Sequence, residues 1–466
     1  MTQSEEAIAP VPKTRWEEVR ATVSLAGPMV LTMVAVIFME TVDTLMIGRL
    51  GEEALAAAAL ALTTWFIPLL FGIGLLGAVS SLTAQAVAQN DDRGVRRSAR
   101  QGLWAGIMLG APSALAMTQA EHLLIWIGQL PEIASAAQEY LNWMGLALIV
   151  IFLNIPLRLT MASYEVTRPA MLIVWAGVPL NALFNWIFMF GGLGGPEMGL
   201  AGAGVATLLV DILIVIGVAI CITKHSKTKH LNLFQNFWRP DWPRFRQLMR
   251  IGLPSGAIGI MEHGLFAAAA VMMGWVGVTQ LASHMVATQI VSITFMIPFG
   301  LGQASNIRIA LAAGARNLDA ARIGARTQIE ITVIFMAACA VVYWLFGDFF
   351  VGLFLAADDP DRAAVIGYGA TFLAIAAIFQ IFDGVQVVGG GILRGLNDTF
   401  VPMLFAIFGY WMIGVTGAYW LCFELELGGA GIWYGLIGGL GVCAIAVTFR
   451  IWQQTRTASL AFSRIE

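Results

Sequence analysis

Apolar runs long enough to cross a bilayer recur along the chain, separated by short polar stretches. They lie near 24–48, 55–88, 102–120, 141–163, 169–191, 200–222, 251–275, 280–307, 329–347, 364–392, 401–423 and 429–451. A spanning helix needs about 20 residues, so the pattern predicts an all-α membrane protein with twelve transmembrane helices. The connection between the third and fourth runs, EHLLIWIGQLPEIASAAQEY, predicts a short amphipathic segment lying at the interface.

The pattern also repeats. Pro28, Gly48, Gly51, Arg96 and Arg100 find matches 226 positions on, at Pro254, Gly274, Gly277, Arg322 and Arg326. GLAGAGVATLL (Gly199–Leu209) resembles ELGGAGIWYGL (Glu426–Leu436) at a spacing of 227, and TRPAML (Thr167–Leu172) resembles TFVPML (Thr399–Leu404) at 232. A repeat that spans an even number of helices keeps its orientation, so the copies are related by an axis along the membrane normal. The expected organisation is a tail over 1–21, an N-lobe over 22–223, a linker over 224–250 containing Pro240 and Pro243, a C-lobe over 251–452 and a tail over 453–466. Two pseudo-symmetric six-helix lobes around a cavity are the form that alternating access requires.

Composition agrees. With 58% hydrophobic and 12% charged residues, the chain lies far from soluble domains, where about a quarter of residues are charged. The net charge of −3 says less than its sidedness. Basic residues precede the first run (Lys13, Arg15, Arg20) and fill the even-numbered connections, including Arg93–Arg100, Lys224–Arg250 and Arg316–Arg326. The odd connections hold Arg49 and Arg362 and are otherwise neutral or acidic, with Glu121, Glu197 and Glu426 among them. The positive-inside rule then predicts a multi-pass protein of a bacterial-type inner membrane, both termini cytoplasmic. The four cysteines have no CxxC spacing, which suggests neither disulfides nor a thiolate metal site. The N-terminus lacks the basic and apolar regions of a cleaved signal peptide and reads as a short disordered tail.

A carboxylate in the hydrocarbon costs roughly 2.5–3.5 kcal/mol on insertion scales, so an acid kept there is a candidate for function. The first run carries Asp43, with Glu40 one turn before it. The fifth run carries Asn181 and Asn185, four apart and on one face; the sixth carries Thr207 and Asp211, again four apart. Asp43, Asn185 and Thr207 lie at similar depth and could meet in the outer half. Together with Asn181 they offer hard oxygen ligands for a dehydrated sodium ion, or a carboxylate that trades protons. The competing reading is interhelical hydrogen bonding, and the aspartate tips the balance toward ion exchange. Glu40 either lines the same cavity or hydrogen-bonds a neighbouring helix. Asp211 has no obvious basic partner and is a proton-relay candidate. Glu262 and Asp383 both lie roughly 16–18 Å from the basic boundary, where two acids that meet either share a proton or hold a cation. His263 and His284 read as packing residues. With no HExxH, GxSxG or P-loop lysine, an enzyme is not expected, and no cofactor is implied beyond the coupling ion.

VDTLMIGRLG, ASYEVTRPAM, GAGVAT and GGILRGLNDTFVPM, in this order, resemble the multidrug and toxic compound extrusion (MATE) family, NorM branch. The resemblance runs from about Val23 to Trp452. It implies a twelve-helix, two-lobed antiporter that expels cationic amphipathic compounds in exchange for sodium ions or protons. Asp43 stands where the family keeps its first-helix aspartate, Asn181, Asn185 and Thr207 match the polar positions grouped with it, and Glu262 and Asp383 match the C-lobe acids. Phe379 stands one turn before Asp383 where relatives can carry a tyrosine, and Met285 follows His284 where the family often has glutamine. The C-lobe site is therefore expected to have fewer ligands, which leaves proton exchange or the N-lobe site to carry coupling. The partners implied are small cationic drugs or toxins and the lipid bilayer, with no nucleic acid, and a monomer is expected. A lipid-linked-precursor flippase would share the two-lobed form but would want a cationic cavity, whereas the arginines here read as lying in the connections.

Overall fold

The computed structural model describes residues 14–235, 237–356 and 360–456. The outer parts of both expected tails, 1–13 and 457–466, lie outside the described residues. All regular structure among the described residues is helical: α1 (Arg15–Ile47), α2 (Glu52–Leu76), α3 (Ala78–Ala88), α4 (Asp92–Met117), α5 (Ala120–Trp126), α6 (Pro131–Ser163), α7 (Arg168–Phe190), α8 (Gly199–Lys224), α9 (Trp242–Val276), α10 (Val278–Gly314), α11 (Leu318–Gly352), α12 (Arg362–Gly395), α13 (Phe400–Ala406), α14 (Thr416–Tyr419) and α15 (Gly428–Arg456). π-Helical turns over Ile407–Val415, between α13 and α14, and over Trp420–Glu424, after α14, make these one long segment, Phe400–Glu424.

Eleven of the described helical segments are long and apolar enough to span a membrane. The twelfth expected span, α4, falls outside that set; its first turns carry Asp92, Arg93, Arg96, Arg97 and Arg100. The short helix expected between the third and fourth spans is α5, with Leu124 buried and Trp126 exposed.

The repeat is visible in the backbone. Gly51 before α2 and Gly277 before α10 both take positive φ, 117° and 157°, a conformation that L side chains adopt only under strain. Both α1 and α9 start nine residues ahead of the apolar runs that predicted them, at Arg15 and Trp242. α1 thus begins inside the stretch expected as a tail.

The chain forms two compact units, Gly27–Gly256 and Met1–Ala26 with Ala257–Glu466, whose boundaries fall inside α1 and α9. Each has its own core. In the first, Tyr140, Phe152, Leu141 and Leu148 of α6 are buried against Leu76 and Leu82. In the second, Trp433 of α15 packs with Phe372, Phe379 and Tyr410. Inside a bilayer the hydrophobic drive between helices is absent and close packing replaces it. A Cβ on Gly106 would stand 2.5 Å from the carbonyl oxygen of Phe152, and one on Gly391 would stand 2.2 Å from that of Gly302.

Candidate functional site

In the 27–256 unit, α1, α7 and α8 place their polar residues together. α7 stops at Gly191, whose left-handed backbone (φ 69°) closes the helix with its N–H on the Trp186 carbonyl. Met198 N–H then donates to the Phe188 carbonyl at 2.9 Å, which returns the chain beside α7. Gly202 completes the hairpin: a Cβ there would lie 2.3 Å from the Phe188 oxygen, so only glycine lets α8 lie this close.

That hairpin brings Asn185 and Thr207 to one carboxylate. Asn185 Nδ2 donates to Asp43 Oδ1 at 2.5 Å and to Asn181 Oδ1 at 3.3 Å; Thr207 Oγ1 lies 3.4 Å from Asp43 Oδ2 and 3.1 Å from the Ala203 carbonyl. Asn181 and Asn185 are buried and Asp43 is half-buried. Asn185 Oδ1 is a buried acceptor without a donor. Asp43, Asn181, Asn185 and Thr207 therefore form one group.

The remaining candidates of this unit lie around it. Glu40 is exposed and within electrostatic reach of Asp43. Tyr140 of α6, which the sequence pattern hid among apolar neighbours, is buried within electrostatic reach of both acids. Asp211 is half-buried and within electrostatic reach of Arg158 of α6. This corrects two expectations: Asp211 has a basic group within electrostatic reach, and arginines lie inside spanning helices as well as in the connections, Arg158 of α6 and Arg308 of α10 among them. Arg158 stands a turn and a half before the end of α6, within the apolar run over 141–163.

In the second unit, the rings of Phe266 (α9) and Phe379 (α12) meet at 5.9 Å between centroids. One turn along each helix, Glu262 is half-buried and Asp383 is 2% exposed, and the two acids interact electrostatically. The structure adds two oxygen-bearing side chains here: Gln386 Nε2 donates to the Tyr410 hydroxyl, and Gln386 lies within electrostatic reach of Glu262. Phe379 is fully buried and packs on Trp433. His284 is buried against Trp433 at 5.4 Å, but its Nδ1 has no hydrogen bond; His263 is exposed.

A family model described as MatE matches residues 28–187 and 254–420, two segments that begin at the repeated prolines. The chain belongs to the MatE family. Among its relatives, a probable multidrug resistance protein NorM of Mesorhizobium japonicum is 41% identical over 461 residues, covering 98% of this chain and 99% of that one. A protein of the same description from Brucella suis is 38% identical over 443 residues, 94% of each chain. A solved structure described as the outward-facing conformation of a multidrug resistance MATE family transporter of the MOP superfamily superposes with a TM-score of 0.86 at 21% identity, covering 97% of this chain and 100% of that one. Another, described as MATE in the bent conformation, gives 0.85 at 21% identity, with 97% and 98% covered. These two carry the fold. The MatE chain is thus a multi-pass membrane protein of a transporter family, NorM-like over nearly its whole length.

Proposed function

We propose that this chain is a secondary active antiporter that exports cationic amphipathic compounds in exchange for sodium ions or protons, by alternating access of two lobes. The carrying observation is the Asp43 group. A carboxylate held between Asn185 and Thr207, beside an amide oxygen that lacks a donor, suits a cation that must be bound and released. Its oxygens fit a dehydrated sodium ion or a proton carried by Asp43, and neither ion needs a further cofactor. The exchange is electrostatic in origin: with its charge neutralised by either ion, Asp43 no longer attracts a cationic substrate. Glu262 and Asp383 offer a second acidic station.

The relatives named as multidrug resistance proteins support the substrate class, and the basic even connections support an inner-membrane protein with both termini cytoplasmic. Arg158 does not favour the flippase reading, because it lies within electrostatic reach of the acid Asp211. The test is efflux of a fluorescent cation from proteoliposomes, with sodium and proton gradients imposed separately. Either gradient should drive accumulation against the cation's own gradient in wild type and not in Asp43→Asn. Efflux indifferent to both gradients would refute antiport.

A further inference from the structure

We infer that a cavity at the end of α8 is a binding site for an anionic glycerophospholipid, whose phosphate meets Lys229 while the cavity's apolar wall takes the top of an acyl chain.

The site is built from the connection between α8 and α9, which lies within the 27–256 unit. Beyond α8, Thr228 Oγ1 donates to the Ile222 carbonyl at 2.7 Å and folds the chain back on the helix end. Leu233 is 2% exposed and joins the core that holds Val218 and Ile222 of α8 and Leu103 of α4. The connection is then fastened along one face of α4, at positions three and four apart. Arg97 pairs with Asp241, Arg100 Nη1 donates to the Gln235 carbonyl at 3.2 Å, and Trp104 Nε1 donates to the Phe237 carbonyl at 3.1 Å.

Between the end of α8 and this fastened stretch lies a cavity of about 380 Å³, within the size range of small-molecule sites. It has two kinds of wall. Ile222, Leu233 and Phe234 make one apolar side, and Lys229, Asn232 and Gln235 line the rest.

Depth and charge together fit a lipid. Ile222 ends the apolar run over 200–222 and Trp104 stands at the start of the run over 102–120, so the cavity opens where both spans leave the hydrocarbon. Trp238 stands edge-on to Trp104, 6.2 Å between ring centroids, yet is 79% exposed. A bare indole at the end of a span belongs at headgroup level, where tryptophans concentrate. The stretch 224–239 carries Lys224, Lys227, Lys229 and Arg239 and no acid. Among the described residues none of these four forms an ion pair, and two acids close by are engaged elsewhere, Asp92 with His230 at 3.3 Å and Asp241 with Arg97. Juxtamembrane cations of this kind attract anionic headgroups. A soluble phosphate would use the charge and leave the apolar wall in water, and a zwitterionic lipid would bring a cation of its own. An anionic lipid uses both walls.

The test places the full chain in nanodiscs of phosphatidylcholine doped with phosphatidylglycerol that carries a diazirine near the top of one acyl chain. Photoadducts are mapped by mass spectrometry and followed against the mole fraction of phosphatidylglycerol. Wild type should be labelled on the peptides that carry Ile222 and Phe234. Lys229→Gln should raise the half-saturating mole fraction about fivefold, the worth of one basic residue at an anionic surface. Lys227→Gln removes the same charge from outside the cavity and should change that fraction by less than roughly twofold. Thr223→Trp, which fills the cavity from its exposed rim, should abolish the adducts and leave the unfolding midpoint in detergent in place. Should Thr223→Trp not fold, the two lysine variants decide, since both side chains are exposed. Equal effects of Lys227→Gln and Lys229→Gln would mean diffuse attraction to a basic surface and no built site. Equal labelling by a diazirine phosphatidylcholine would overturn the preference for an anionic lipid. Loss of the adducts in millimolar glycerol phosphate would make this a site for a soluble phosphate and overturn the lipid assignment.

Discussion

Glu18 and Arg308, 290 residues apart, form a buried ion pair. Arg308 Nη2 lies 2.8 Å from Glu18 Oε2 and Nε lies 3.3 Å from Oε1, with both side chains 5% exposed. Gln328 Nε2 and Thr22 Oγ1 also donate to Oε1, so the carboxylate is fully satisfied. This cluster binds the first turns of α1 to α10 and α11 within one compact unit.

Breaking such a pair from one side leaves a buried charge without its partner, which typically costs about 3–5 kcal/mol. Arg308→Met is expected to lower the unfolding midpoint in detergent by an amount of that order. Glu18→Gln added to Arg308→Met should recover much of the loss, because no bare charge remains. A single mutant as stable as wild type would show that the pair contributes nothing.

The same pair shows where sequence reading stops. The spans were legible because their apolar runs are long, and the Asp43 group because Asn181, Asn185 and Thr207 keep helical spacing at matching depth. The early starts of α1 and α9 were not, since Glu17, Glu18, Arg244 and Arg246 look like tail or linker until their partners are in place. Glu18 needs Arg308, and Arg244 needs Ser98, which accepts from its Nε at 2.8 Å. Tyr410 was hidden for another reason. IFGYWMIGV is apolar almost throughout, so it has no readable periodicity and nothing announces a π-helical turn.

Asp241 gives a prediction in pH. Arg97 pairs with it through Nε and through Nη2, the latter at 3.1 Å from Oδ1, and holds its carboxyl below the usual aspartate range. A depressed folded-state value adds stability that is full above the ordinary value of about 4 and is lost as pH falls through the folded one. The difference in melting temperature between wild type and Asp241→Asn should therefore be largest at neutral pH and shrink on acidification below about pH 4. Arg97 is 41% exposed, so solvent screening keeps the effect small. A difference that is constant from neutral to acid pH would rule out this linkage.

Gly202 tests the geometry of the site through the backbone. A Cβ 2.3 Å from the Phe188 oxygen has no flexible side chain to push aside, so Gly202→Ala must part α7 from α8. Overpacking of this kind costs roughly 1–3 kcal/mol. Thr207 rides on α8 and its 3.4 Å contact with Asp43 should lengthen. Coupled efflux should fall at least as far as in Thr207→Ala, at equal protein in the membrane. Full activity in Gly202→Ala would mean that the close approach does not set the site.

The last prediction concerns the driving ion and follows from what each unit offers. Around Asp43, Asn185 both donates to the carboxylate and presents an unsatisfied Oδ1, and Asn181 and Thr207 add further oxygens. That is much of a hydration shell for an alkali cation. In the second unit, Gln386 is tied to the Tyr410 hydroxyl, Asp383 Oδ1 has no hydrogen-bond partner, and Phe379 supplies no oxygen. Sodium should therefore act mainly through Asp43, where a proton competes by neutralising the same carboxylate. Substrate release against sodium concentration, measured at several pH values, should show apparent sodium affinity weakening as pH falls in wild type. Asn185→Ala should raise the half-saturating sodium concentration roughly tenfold or more, the worth of one ligand to a charged centre, and change the proton response less. Asp383→Asn should leave the sodium curve in place and alter the sodium-free pH profile. If Asp383→Asn alone abolishes the sodium response while Asn185→Ala preserves it, sodium is bound at the second acid pair and the assignment to Asp43 is wrong.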